Sequence, residues 1–282
     1  LLFAGTEFGM YISMDEGKNW TSFQLNLPVT PITDMLIKDN DLVLSTQGRA
    51  FWIMDDMSPL REMTKKVMDK QQHLFPISTN YRTQMRGSRG TGSPSPAPRG
   101  ALIYYYLNDN YVSTATVSIK IEDSRYGTAH TFSTSPGKGE SKLRPKKGLN
   151  RLVWNRKYDA PKVQKGARFS LANVSGINAA PGVHQVTLSI GSASETQNLP
   201  LAIDPRWSQS EDDLKAQFEA ANQAKQLLTD CHNLIGKLRS MRKQLKAIGN
   251  RDLPAEVKEK YNTESKPILS ALTALEDELI QT

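Results

Sequence analysis

The sequence predicts a mainly β chain that ends in α-helices. Three observations support this prediction: a stretch near the N-terminus is repeated, alternating apolar and polar residues recur through the middle, and apolar residues recur at helical spacing after residue 207. With 282 residues, the chain is long enough for two or three domains. We expect four parts, which span residues 1–62, 63–100, 101–206 and 207–282.

The repeat lies in the first part. Leu2–Asp15 (LFAGTEFGMYISMD) matches Leu42–Asp55 (LVLSTQGRAFWIMD) at an offset of 40 residues, and each copy has an apolar strand, a short Gly-containing turn and an aromatic strand. This period equals one four-stranded blade of a β-propeller. Because a ring needs about four to eight blades, we expect residues 1–62 to be the last blade or blades of a propeller and the other blades to precede Leu1.

The stretch SMDEGKNW, residues 13–20, has the spacing S-x-D-x-G-x-x-W. Asp15 and Ser13 can accept hydrogen bonds from backbone amides in a tight turn, and Gly17 can adopt the positive φ that such a turn requires. Trp20 is expected to bury its ring beneath the turn. The spacing resembles the Asp box, or BNR repeat, of sialidase-like and sortilin-like propellers. In those families the box is a structural turn away from the catalytic centre, so we interpret these four residues as structural.

The middle of the chain divides into a connector and a sheet region. Residues 63–82 are polar with room for a short helix, and the Gly-, Ser- and Pro-rich run that follows predicts a linker over 63–100. Strand-like runs bounded by turn residues then continue over 101–206, which predicts an antiparallel β-sandwich. The runs GLNRLVW and APGVHQVTLSI resemble immunoglobulin-like or fibronectin-like modules.

Helical spacing begins after DPRWSQSEDD. Ser210 is a suitable N-cap, Gly249 and Asn250 end the first helix, and Pro254 precedes a second helix that Pro267 is expected to break or kink. These features predict a helical hairpin or bundle over 207–282. Since the chain begins inside a predicted strand and stops inside a helical pattern, we expect it to be a piece of a longer polypeptide.

Composition argues against several classes of function. The single cysteine, Cys231, rules out an internal disulfide, and the four scattered histidines lack the spacing of metal ligands, so we predict no metal and no cofactor. No apolar run reaches membrane-spanning length. The net charge is +7, and eleven Lys and Arg residues lie from Lys138 to Arg168, with few aromatic residues among them. A solvated basic loop explains this excess better than nucleic-acid binding does.

The order of the parts resembles one group of proteins. The stretches LNLPVTPITD and STQGRAFWIMDD, followed by a sandwich, DPR and a helical tail, are similar to the C-terminal portion of bacterial BNR-repeat proteins of the sortilin-type propeller group, which are named glycosyl hydrolases. The resemblance implies export to the periplasm or the cell exterior. It also implies a longer polypeptide whose signal peptide lies outside this chain.

Candidate site residues are few. Glu7 and Arg49 lie in the two turns of the repeat and are positioned to line a propeller mouth, and Asp34 is positioned to face the central channel. The alternative interpretation is that these three residues are solvated or stabilise turns. No catalytic residue can be assigned, because glycoside hydrolysis usually needs two carboxyl groups across a cleft. We predict a non-catalytic binding or scaffold region that contacts glycan or protein. The alternative is the tail of a sialidase-like or xyloglucanase-like hydrolase whose catalytic residues lie mostly upstream.

Overall fold

The structure, a computed structural model, describes residues 1–83, 98–108, 115–167, 169 and 174–280. It is a mixed α/β protein with several sheets and two long C-terminal helices, so the predicted combination of sheets followed by helices is confirmed. The chain forms two compact units: Leu1–Arg156 with Gly182–Asp204, and Lys157–Pro181 with Pro205–Thr282. The strands over 1–62 and those of the predicted sandwich thus belong to one unit, while residues 157–181 group with the helices.

Two three-stranded antiparallel sheets form the N-terminal part of the first unit. Their inner faces carry alternate apolar residues, which enclose a core built around Met10, Leu27, Leu42, Leu44 and Met57. Each sheet connects neighbouring strands through short turns, in the orders β1-β2-β3 and β4-β5-β6. The strands are β1 Leu2–Thr6, β2 Gly9–Ser13, β3 Thr21–Ser22, β4 Ile32–Lys38, β5 Asp41–Thr46 and β6 Phe51–Met54.

The segment predicted as a linker contains regular structure in its described part. It follows helix α1, Ser58–Glu62, and carries helix α2, Lys65–Met68, and strands β7, Gln72–Leu74, and β8, Asn80–Arg82. Of the Gly-, Ser- and Pro-rich run at 85–100, residues 85–97 lie outside the described residues.

Two further sheets complete the first unit. A curled six-stranded sheet has the order β12-β11-β10-β14-β15-β8, and a three-stranded sheet has the order β13-β9-β7. Strands of both sheets alternate buried and partly exposed residues. The new strands are β9 Ala101–Leu107, β10 Val117–Asp123, β11 Gly127–Ser133, β12 Ser141–Lys142, β13 Gly148–Trp154, β14 Gly182–Ile190 and β15 Ala193–Ile203.

The six-stranded and three-stranded sheets contact each other through buried side chains. The ring of Trp154, at the end of β13, lies 5.5 Å from the ring of His184 on β14. Strand β7 is held from the other sheet, since the Leu74 N–H donates to the Glu195 carboxylate at 2.9 Å and the Gln197 amide donates to the Leu74 carbonyl at 3.2 Å. Nonlocal contacts of this kind explain why a short polar segment becomes a strand here.

The second unit is built on helices α3, Glu211–Gly249, and α4, Ala255–Leu279. Ser210 caps the start of α3 and Asn250 caps its end, as predicted, and the Asp213 side chain completes a capping box with Ser210. Helix α4 follows Pro254 and runs without a break through Pro267, so the expected break does not occur. Pro267 is exposed, which lets water bind the backbone carbonyl that loses its helical partner.

The two helices are antiparallel and share buried contacts. The Tyr261 hydroxyl near the start of α4 donates to the Leu245 carbonyl near the end of α3, and Arg239 pairs with Glu276 near the end of α4. On another side of α3, the Gln164 amide donates to the His232 carbonyl at 2.7 Å. Among the described residues, no helix combines the length and the apolar character needed to cross a membrane.

Candidate functional site

The structure places Glu7 and Arg49 in two equivalent turns at the same end of the first two sheets. In the β1–β2 turn, the Thr6 hydroxyl donates to the Gly9 carbonyl at 3.0 Å, and in the β5–β6 turn the Thr46 hydroxyl donates to the Ala50 carbonyl at 2.6 Å. Thr6 and Thr46 are the matching residues of the sequence repeat. The second turn is one residue longer, because Leu2 pairs with Ser13 whereas Leu42 pairs with Met54.

The ends of β1 and β4 establish that the two turns are neighbours. A Cβ on Gly5 would lie 2.7 Å from the side chain of Ile32, so the end of β1 packs on the start of β4. Ile32 pairs with Thr46 at the end of β5. Both Glu7 and Arg49 are exposed at this shared end.

Asp34 does not join this pair. It lies within β4, beyond a register irregularity between Ile32 and Asp34. Its side chain is exposed and accepts a hydrogen bond from the Met35 backbone N–H at 2.8 Å. Among the described residues, no hydrogen bond or ion pair connects Glu7, Asp34 or Arg49 to one another.

The SMDEGKNW stretch forms a hydrogen-bonded turn after β2, at the end opposite to Glu7. The Ser13 hydroxyl donates to Asp15 and accepts from the Gly17 N–H at 2.8 Å, and Gly17 has a φ of +90°. The Asn19 backbone N–H and side-chain amide donate to the Asp15 carboxylate, and these bonds lower the pKa of Asp15. The turn is therefore stabilised by its own side chains.

Trp20 differs from expectation. Its ring is 43% exposed instead of buried beneath the turn. The indole N–H donates to the Gly17 carbonyl at 3.1 Å, which holds the ring beside the turn, and the adjacent strand β3 is only two residues long. Trp52 of the second copy makes a similar bond to the Arg49 carbonyl at 3.0 Å.

A polar junction forms where the second copy departs from the first. After β6 the chain turns through Asp56, whose φ is +54°. Two backbone N–H groups of this turn then donate hydrogen bonds to the β4–β5 turn. The Met57 N–H donates to the Asn40 carbonyl at 2.6 Å, and the Asp56 N–H donates to the Asp41 carboxylate at 2.9 Å. Met57 is buried in the core, so the exit of the chain from this sheet is anchored on both sides.

The same junction joins the first sheets to the three-stranded sheet. The Tyr104 hydroxyl on β9 donates to the Asp55 carbonyl at 3.1 Å. Burial, followed by the negative charge of Asp41, raises the pKa of Asp55, while the positive charge of Arg151 on β13 opposes that rise. Burial also raises the pKa of Tyr104, against a hydrogen bond from Arg151. The junction thus combines a carboxyl group that holds its proton more tightly than usual with a second carboxylate, a phenol and a guanidinium.

Sequence reasoning did not find this junction. Asp55 and Asp56 stand in the stretch STQGRAFWIMDD, and Tyr104 stands in the run ALIYYYL, but the two segments are 49 residues apart. The tandem aspartates directly after a strand were the only available signal.

A second buried polar group lies between the larger sheets. Asp123, at the end of β10, accepts from the Arg125 guanidinium at 2.7 and 3.0 Å and from the Arg125 N–H at 2.8 Å. Its Oδ2 lies 3.7 Å from Nε2 of His184, and the side chains of His184 and Asp123 are both buried. Burial lowers the pKa of His184, and the charge of Asp123 only partly offsets this effect. This group has the character of a structural core feature.

Basic residues of the helical unit either pair with a buried carboxylate or line a groove between the helices. Arg239 and Arg242 pair with the buried carboxylate of Glu276 at 2.6 and 2.7 Å, and the Arg239 hydrogen bond lowers the pKa of Glu276. A groove of about 500 Å³ between the helices is lined by Arg242, Lys246, Leu269, Ser270 and Thr273. Cys231 is partly exposed, with its Sγ 3.9 Å from the Leu279 carbonyl.

The described residues contain no group of three or more His, Cys, Asp or Glu side chains arranged to hold a metal ion. Comparison with known proteins adds no identity: no family model, no curated protein and no solved structure matches the chain.

Proposed function

We propose that this chain is the non-catalytic binding and scaffold region of an exported β-propeller protein, and that residues 1–62 are its last blade or blades. The observation that carries the proposal is the pair of stacked three-stranded sheets related by the 40-residue repeat. Neighbouring blades of a propeller pack face to face in this way. Export is proposed from the resemblance to BNR-repeat proteins, and an immunoglobulin-like sandwich is proposed for the two larger sheets.

The outer face of the second sheet carries an exposed apolar row, which supports the proposal that the longer polypeptide has further blades. Leu36, Val43 and Ile53 are paired across β4, β5 and β6, so they form one row on a single face. Leu36 is 61% exposed and Ile53 is 59% exposed, and Phe51 adds a third exposed apolar side chain on β6. A continuous apolar row on a sheet face is typical of a surface that another layer covers.

Ile53→Asp tests the proposed ring. In the 282-residue chain we expect a change in the free energy of unfolding below about 1 kcal/mol, because the side chain is mostly in water. In the longer polypeptide we expect a loss of about 2–4 kcal/mol, because the carboxylate would be buried against the next blade. Chemical denaturation of both chains measures the difference.

The matched control is Thr21→Asp, which places the same charge on the exposed edge strand β3. It should have a small effect in both chains. Equal and small effects of Ile53→Asp in the two chains would contradict the ring.

Binding is proposed at the end that carries Glu7 and Arg49. Both side chains are exposed at the end of stacked sheets, where loops of a propeller present ligand-binding residues. Their opposite charges suit hydroxyl-rich or charged ligands, so glycan or protein is the proposed partner, and the upstream blades would form the rest of the mouth.

We expect the longer polypeptide to bind glycan without cleaving it, and the double variant Glu7→Gln, Arg49→Gln to bind at least tenfold more weakly. Calorimetric titration with xyloglucan oligosaccharides and with sialylated oligosaccharides measures binding, and an assay of released sugar measures cleavage. The control is Lys38→Gln with Asp39→Asn, which neutralises an exposed pair in the β4–β5 turn at the opposite end. If the longer polypeptide bound neither oligosaccharide, the proposal of a glycan partner would be contradicted.

The hydrolase remains the second candidate, and one observation favours it. Asp55 combines a raised pKa with a neighbouring carboxylate, which is the electrostatic setting of a general acid. If the longer polypeptide releases sugar and Asp55→Asn abolishes the release while glycan binding is retained, the junction is catalytic and the non-catalytic proposal is wrong.

A further inference from the structure

An exposed apolar face runs along one side of the α3–α4 pair. On α3, four apolar residues follow one another at intervals of seven, and each is between 40% and 64% exposed: Leu227, Leu234, Met241 and Ile248. On α4, three more apolar residues are about half exposed: Val257, Ile268 and Leu275. We call these seven residues the apolar face.

Helix geometry places the two stripes on the same side of the pair. At about 100° per residue, each stripe lies roughly 80° around its helix from the side chains that join the helices. In both helices the stripe is displaced in the same rotational sense along the chain direction. Because α3 and α4 run in opposite directions, this displacement places both stripes on the same side of the helix pair. The contacts of residues 162 and 164 with Thr229 and His232 occupy a different side of α3.

The period of the α3 stripe indicates a helical partner. An exact seven-residue repeat is the signature of a seam that packs against another helix, since residues seven apart drift by only about 20° around an α-helix. Seven half-exposed side chains offer on the order of 600 Å² per copy, which approaches the roughly 800 Å² that each partner contributes to a specific interface.

Charges at the rims identify the occupant as a second copy. Lys237 lies at the outer edge of the stripe on α3, and Glu278 lies at the outer edge of the stripe on α4, and both are exposed. The Arg239–Glu276 and Arg242–Thr273 contacts show which residues are level in the antiparallel pair. By the same register, Lys237 and Glu278 lie at the same height along the helix axes. When two copies face each other with α3 of one over α4 of the other, the two rims therefore pair opposite charges.

We propose that the apolar face is a homodimer interface, in which two α3–α4 pairs form a four-helix bundle with α3 of each copy against α4 of the other. This assembly goes beyond the proposed binding function and does not depend on the propeller. Symmetry makes the interface isologous, so each charged pair occurs twice.

Sedimentation equilibrium on the 282-residue chain tests the dimer. We expect a mass that rises with concentration from 31.5 kDa to twice that value. Leu234→Lys should weaken association more than 100-fold, because it puts a charge into the seam. Lys237→Glu and Glu278→Lys should each weaken association about tenfold, and the double variant should restore it, because the reversed pairs attract again.

Lys243→Glu is the matched control, since it makes the same charge change on an exposed part of α3 away from the apolar face. Helical circular dichroism at 222 nm establishes that each variant is folded, and Met241→Lys replaces Leu234→Lys if the latter unfolds. A chain that stays at 31.5 kDa at all concentrations overturns the proposal. So does a double charge variant that associates no better than the single variants.

Discussion

Trp154→Ala is expected to lower the free energy of unfolding of the first unit by about 3–5 kcal/mol, the range for truncating a large buried aromatic side chain. Trp154 is 1% exposed and is the largest of the fully buried side chains. Its loss opens a cavity beside His184, whose ring lies 5.5 Å away. Calorimetry should show the unfolding temperature falling by on the order of 10 °C.

Trp20→Ala provides the comparison. The residue type and the change are the same, but the Trp20 ring is partly exposed beside the Asp-box turn. We expect a loss of about 1 kcal/mol or less. If Trp154→Ala destabilised the protein as little as Trp20→Ala does, Trp154 would not be part of a packed core between the two larger sheets.

Asp123→Ala is expected to lower the free energy of unfolding by about 2–4 kcal/mol at pH 7. The change removes a buried carboxylate that binds Arg125 through three hydrogen bonds. This loss of stability is smaller than that for breaking a fully buried ion pair, because the Arg125 side chain is partly exposed and can be hydrated once Asp123 is gone. Urea denaturation measures the loss. Glu122→Ala, on the outward side of the same strand, should cost about 1 kcal/mol or less.

The effect of Asp123→Ala should depend on pH in a defined direction. Burial alone would raise the pKa of Asp123, but the hydrogen bonds from Arg125 and the nearby positive charges outweigh it, so the pKa lies below 3.8. The ionised carboxylate therefore stabilises the fold above that pH, and the difference between wild type and variant should shrink as the pH falls below 3.8. A difference that grew on acidification would show that Asp123 is protonated in the fold.

His184 adds an acid sensitivity of its own to the wild-type protein. Burial holds its pKa below 6.5, so the unfolded chain takes up a proton at a higher pH than the folded chain does. The stability that neutral His184 contributes is complete above pH 6.5 and is lost as the pH falls below it.

Features that depend on local sequence could be predicted. The N-cap at Ser210, the helix end at Gly249 and the start after Pro254 follow from capping and backbone preferences within a few residues. The repeat predicted two equivalent turns, and these place Glu7 and Arg49 at one end of the stacked sheets.

Features that depend on distant partners could not be predicted. Strands β7 and β8 form in a polar segment because β9 and β15 supply their hydrogen-bond partners. The junction of Asp55 with Tyr104 and Arg151, and the pairing of Asp123 with His184, join residues whose separations carry no signal in one sequence. Local propensity over residues 63–82 favoured a polar connector with room for a short helix, and tertiary pairing added the two strands.

The pairing of β8 with β15 means that β8 can form only after β15 has been synthesised. Asn80 pairs with Leu201, 121 residues later. At roughly 5–20 residues per second, β8 waits on the order of 6–24 s during synthesis before its partner exists. The hairpins of the first two sheets close over short distances and are complete by then. Until then, the three residues Asn-Tyr-Arg that become β8 have no partner strand, and a segment this short that carries a charge resists pairing with the wrong chain.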